Sequence, residues 1–114
     1  NITHNLVKNL VEKEEKTNKN DSNDNVIFIG DKPFMNYVTG VVMQMNNKEN
    51  KEVIIKARGK FISRAVDVAE VSRKKFLVET KTKVSKIDID SEEFENKEGK
   101  KVNVSTIEIT LKKE

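Results

Sequence analysis

Val26-Ile27-Phe28-Ile29-Gly30-Asp31-Lys32-Pro33-Phe34-Met35-Asn36-Tyr37-Val38 reads as a strand, a turn and the start of a helix. The first four residues are a continuous apolar run, the pattern of a strand covered on both faces. Gly30 permits a sharp turn, Asp31 is placed to cap a helix, and Pro33 suits the helix's first turn. Phe34, Val38, Val41, Val42 and Met45 then recur at helical spacing, which predicts a helix buried along one face and ending near Asn46.

Working outward, Glu52 to Arg58 alternates with period two. Val53, Ile55 and Ala57 belong to one face of a second strand, and Ile54, Lys56 and Arg58 to the other. Gly59 ends it. The next helical stripe takes Ile62, Ala65, Val66 and Ala69, with Arg73 or Phe76 beyond. Val68 and Val71 fall off that stripe, so a second side of this helix is expected to bury in a subunit contact. The last third is a long hairpin. Apolar parity changes between Val84 and Ile87 on one strand, and between Val104 and Ile107 on the other. Matching the two changes sets Ile87 opposite Val104, Ile89 opposite Val102 and Asp90 opposite Lys101, with a tip from Ser91 to Lys100. The parity change then marks where the hairpin becomes a projecting arm. The order β-α-β-α-β-β predicts an α+β class: one domain, residues 25–114, whose four-stranded sheet carries two helices.

Residues 1–24 differ in composition. Leu6, Val7, Leu10 and Val11 have helical spacing, followed by charged residues and an Asn/Asp-rich run. They are expected to form a weak amphipathic helix and a linker. The 114-residue chain has a formal net charge of +3, and 19 of its 22 basic residues are lysine. Lysine favours point contacts to phosphate over the planar fork with which arginine reads guanine edges. No cysteine is present, so disulfides, thiolate metal sites and a thiol nucleophile are excluded. The single histidine, His4, lies in the N-terminal tail and no nucleophile-base pair is recognisable, so no catalytic residue, cofactor or metal site is expected. No apolar run reaches membrane-spanning length, so a soluble cytoplasmic protein with no membrane partner is expected.

The chemistry lies in the cations. Lys56 and Arg58 share a strand face, Lys60 and Arg64 stand one helical turn apart, and Lys32 comes from the first loop. At loops where the chain turns, such side chains point outward to a polyanion such as a phosphate track. Asp88, Asp90 and Glu92 alternate onto one face of the arm. Without a glycine-bearing calcium loop they read as a solvated hairpin face rather than a cation site.

Gly30, Lys32, Pro33, Met35-Asn36-Tyr37-Val38, Ile55-Lys56-Ala57-Arg58-Gly59-Lys60, Ile62-Ser63-Arg64-Ala65-Val66-Asp67 and Val104-Ser105-Thr106-Ile107-Glu108-Ile109 closely resemble motifs of the Alba family of archaeal chromatin proteins. The resemblance covers residues 25–113. It implies a homodimer related in fold to the C-terminal domain of bacterial translation initiation factor three, binding double-stranded DNA and RNA in the nucleoid. By that resemblance Lys32 is the central loop contact, Asn36 and Tyr37 flank it, and Arg58 and Lys60 touch the backbone. Phe76 matches an aromatic at which one dimer meets the next along DNA. Lys56, Arg64, Lys100 and Lys101 complete the candidate interface.

Two positions depart from the pattern. Many members carry two lysines in the first loop, whereas this chain has Asp31 beside Lys32, which repels phosphate and removes an acetylation site. From Asp88 to Glu98 the arm has six acids and one lysine. Weaker duplex binding centred on the dimer is therefore expected. Two rival readings keep the fold: a ribonucleoprotein subunit specialised for RNA, or a protein-interaction scaffold using the acidic arm and the N-terminal tail.

Overall fold

The computed structural model describes residues 25–114, and the expected N-terminal helix and linker lie outside the described residues. The elements are β1 (Val26–Phe28), α1 (Phe34–Asn46), β2 (Glu52–Arg58), a 3-10 turn (Gly59–Phe61), α2 (Ile62–Val71), a π turn (Ser72–Phe76), β3 (Lys83–Glu95) and β4 (Lys101–Lys112). The strands form one mixed sheet in the order β1-β2-β4-β3, with β1 parallel to β2 and the other neighbours antiparallel. Both helices pack on one face of it. The expected α+β architecture is the one observed.

The period-two reading of β2 holds. Val53, Ile55 and Ala57 are buried against the helices, and β4 sets Leu111, Ile109 and Ile107 directly beside them. The α1 stripe also holds, because Val38, Val41 and Met45 are wholly buried. Gly40 lets this helix approach β1: a Cβ there would stand 3.4 Å from Ile27 Cδ1.

Four expectations are corrected. β1 is an edge strand, not one covered twice; Ile29 is buried on the helix side, whereas Phe28 lies on the open face with 71% of its surface exposed. Asp31 does not cap α1: the cap position is Pro33, with no side-chain hydrogen bond. On α2 the buried stripe is Ala65, Val68 and Ala69, so Val68 belongs to the core of its own chain and Val66 faces outward.

The fourth correction is the hairpin register. Ile87 pairs with Ile109, not Val104, and Ile89 pairs with Ile107, not Val102. Asp90 faces Thr106, and Lys101 faces Glu95. The two parity changes have different causes. In β3 the ladder is broken between Val84 and Lys86, so Ser85 is an extra residue and Val84 and Ile87 remain on the same face. In β4 the ladder is regular, and the change marks where the apolar side chains switch face. The switch falls beside Arg58–Thr106, the last pair that β2 makes. Beyond it β3 and β4 continue alone as an arm, Ser91–Glu95 against Lys101–Ser105. Its turn is held by Asn96, whose Oδ1 accepts hydrogen bonds from the amides of Glu98 and Lys100 at 2.9 and 3.0 Å.

Candidate nucleic-acid interface

Because β1 and β2 are parallel, both deliver their C-terminal ends to the same end of the sheet, and the arm projects from that end. The loop bearing Lys32, the turn bearing Lys60 and the end of β2 bearing Arg58 are thus neighbours by topology. Gly59 makes the junction possible with a φ of +58°, a conformation that favours glycine.

The loop after β1 is clamped from below. Tyr37 is buried on α1, and its hydroxyl oxygen accepts hydrogen bonds from the amides of Gly30 and Lys32 at 2.9 and 3.0 Å. Arg64 of α2 donates to the Gly30 carbonyl at 2.7 Å, and its guanidinium lies 5.5 Å from the Tyr37 ring centre. Two helices therefore fix the backbone of Gly30 to Lys32, while the Lys32 side chain stays exposed. A Cβ on Gly30 would come within 3.3 Å of the Tyr37 hydroxyl, so the turn has little room for a larger residue.

The expected contacts fall into three groups. Lys32, Lys60 and Lys100 are exposed and take part in no ion pair among the described residues. Lys60 lies over the neighbouring Phe61 ring at 5.3 Å. A second group is already engaged by acids. Lys56 pairs with Glu108 at 2.9 Å, Arg58 approaches Glu92 at 3.8 Å and Phe94 at 5.5 Å, and Lys101 pairs with Glu93 at 3.7 Å. The third group faces inward. Tyr37 and Arg64 build the loop rather than project from it, and Asn36 is half-buried. Phe76 is half-buried against its own chain's core.

The clamp is what sequence reasoning missed, although a signal for half of it exists. Tyr37 stands three residues after Phe34 and four before Val41, on the buried stripe of α1, which marks its ring as inward. Arg64 carries no comparable local mark, since its partner Gly30 is 34 residues away.

Comparison with known proteins agrees with this fold. The Alba family model matches residues 25–91. A protein of Methanocella arvoryzae named DNA/RNA-binding protein Alba is 56% identical over 90 residues, covering 79% of this chain and 91% of the relative. One of the same name from Thermoplasma acidophilum is 54% identical over 88 residues, covering 77% and 94%. Among solved structures, Alba from Thermoplasma volcanium superposes with a TM-score of 0.70 at 51% identity, covering 77% of this chain and 99% of that one.

Proposed function

The chain belongs to the Alba family, and on that premise we propose that it binds the phosphate backbone of double-stranded DNA, and of RNA, as a homodimer associated with the chromosome. The observation that carries the reading is Lys32, an exposed cation with no ion pair among the described residues, on a loop whose backbone is held by Tyr37 and Arg64. Such a cation meets phosphate without first giving up an acidic partner or ordering its own loop. Lys60 adds a second cation at the same end of the sheet. The names of the close relatives support the choice of ligand.

The homodimer is supported by β3. All 13 of its residues are exposed, yet Ile87 and Ile89 present apolar side chains on the helix side, at 58% and 80% exposure. Apolar groups in a row on an open edge are the kind of surface that a second subunit covers.

Binding rests on few phosphate contacts, because Lys56 and Arg58 are engaged by acids and Asp31 lies next to Lys32. The logarithm of affinity should therefore fall gently with the logarithm of salt concentration. Fluorescence anisotropy of labelled duplex DNA and structured RNA across a salt series tests this. Lys32→Glu is expected to weaken binding without altering the thermal melt. Asp31→Lys is expected to tighten it and steepen the slope by up to about 0.9, the increment for one added phosphate contact. Unchanged binding in both variants would remove the loop from the interface.

A further inference from the structure

We infer that the open face of the sheet beside the Lys32 loop is a seat for an unpaired nucleobase, stacked on Phe28, so that single-stranded nucleic acid gains a contact that a duplex cannot make. The inference rests on the proposed nucleic-acid binding and adds to it a second class of ligand.

Phe28 is the most conspicuous apolar side chain of the β1–β2 half of the sheet. It lies on the face opposite the helices and is 71% exposed, whereas Val26 and Ile27 are half-buried and Ile29 is buried. The Lys56 ammonium stands 5.8 Å from its ring centre. Register extends this pair into a row across the sheet: Phe28 on β1, Lys56 on β2, Glu108 on β4 and Asp88 on β3. The adjacent row is Arg58, Thr106 and Asp90. Together these rows line a depression of about 730 Å³, within the size range of small-molecule sites.

The distribution of charge sets how a ligand lies. Carboxylates occupy the β4 and β3 side, so phosphates are repelled from that half of the face. Phe28 is on the far edge, three strands from Asp88, or roughly 14 Å at ordinary strand spacing. Lys32 follows Phe28 by only four residues and carries no acid partner among the described residues. A strand whose phosphates pass the Lys32 loop can therefore turn a base inward over Phe28, with its polar edge toward the carboxylates. Ionised carboxylates only accept hydrogen bonds, so they suit bases that carry amino donors, such as cytosine, over uracil. Paired bases are hidden within the duplex stack, whereas unpaired ones can splay onto an aromatic ring.

The test compares the full chain with Phe28→Ala on three probes: oligocytidylate RNA, oligouridylate RNA and duplex DNA, by anisotropy at one salt concentration. Phe28→Ala is expected to weaken oligocytidylate binding about tenfold, a modest value for one base stacked on an aromatic ring, and to leave duplex affinity unchanged. Phe28→Trp should retain the single-strand affinity, and the wild type should prefer oligocytidylate to oligouridylate. Equal loss on duplex and single strand, no loss on either, or a change in sedimentation showing that the ring covers a second copy would each overturn the inference. Because the ring is exposed, the alanine variant is expected to keep its melting temperature, and a fall of many degrees would also count against the proposal. Lys32→Glu, run in parallel, separates the two readings. If it weakens duplex binding while Phe28→Ala spares the single strand, only this inference fails; if it affects no probe, the proposed function fails.

Discussion

Replacing Tyr37 with phenylalanine deletes one oxygen and leaves the ring, its burial and its contact with Arg64 in place. What is lost is the shared acceptor for the Gly30 and Lys32 amides, at 2.9 and 3.0 Å. A net contribution of about 0.5–1.5 kcal/mol for each hydrogen bond gives at most roughly 3 kcal/mol. The site is only partly buried, so water can reach the freed donors, and roughly 1–2 kcal/mol is expected. For a domain of this size that lowers the melting temperature by about 5–15 °C. The functional effect follows from the loop. If Lys32 must be ordered at the moment of binding, fixing one residue's backbone costs roughly 1–2 kcal/mol, or about 5–30-fold in affinity. No charge is removed, so the slope of log affinity against log salt should not change, in contrast to Lys32→Glu, which should flatten it. Urea melts and salt-titrated anisotropy measure both. A loss of stability below a few tenths of a kcal/mol with unaltered affinity would refute the clamp. A double-mutant cycle with Arg64→Met should show coupling above about 0.5 kcal/mol, because both side chains hold Gly30 and the Arg64 guanidinium lies 5.5 Å from the Tyr37 ring centre.

Glu92→Gln should tighten duplex binding and steepen the salt slope by up to about 0.9, because it releases Arg58 from the arm; an unchanged slope would place Arg58 away from the backbone. The two side chains are more than half exposed, so stability should change little. The hairpin register can be checked by crosslinking: Ile87→Cys with Ile109→Cys should oxidise to a disulfide, whereas Ile87→Cys with Val104→Cys should not. The second pair is offset by five residues, roughly 17 Å along the strand, far beyond disulfide reach. Free-thiol titration reads the result without interference, since the chain has no cysteine of its own.

How much was legible depended on whether the signal was local. The α1 stripe and the period-two pattern of β2 are set by side chains that bury against one continuous surface, and both appear in sequence as observed. The hairpin register failed because a single pattern, a change of apolar parity, arises from two unrelated events. A bulge at Ser85 adds a residue in β3, whereas β4 keeps its ladder and exchanges its covered face where β2 ends. Nothing in either strand alone tells these apart. The β1 reading failed for the opposite reason: a run of four apolar residues signals burial, but Phe28 stands on an edge strand's open face. In the candidate interface, spacing grouped Lys60 with Arg64, yet Arg64 turns under the loop because its acceptor is a carbonyl 34 residues away.

These long-range contacts decide which cations are available, and they do so without changing the chain's total charge. Lys56, Arg58 and Arg64 were counted together with Lys32 from sequence, but the first two lie beside acids of β4 and β3, and the third is spent on the Gly30 carbonyl. Lys32 gains from each of these arrangements. Arg64 rigidifies its loop, and the acids that engage Lys56 and Arg58 sit on the far strands, not beside it. A chain this weakly basic can still concentrate its phosphate contact, because fixing the backbone under one exposed lysine, unpaired among the described residues, lowers the entropy lost on binding. The same division leaves the β1 edge of the open face apolar and next to that lysine, where a base can stack without bringing its phosphate near the carboxylates.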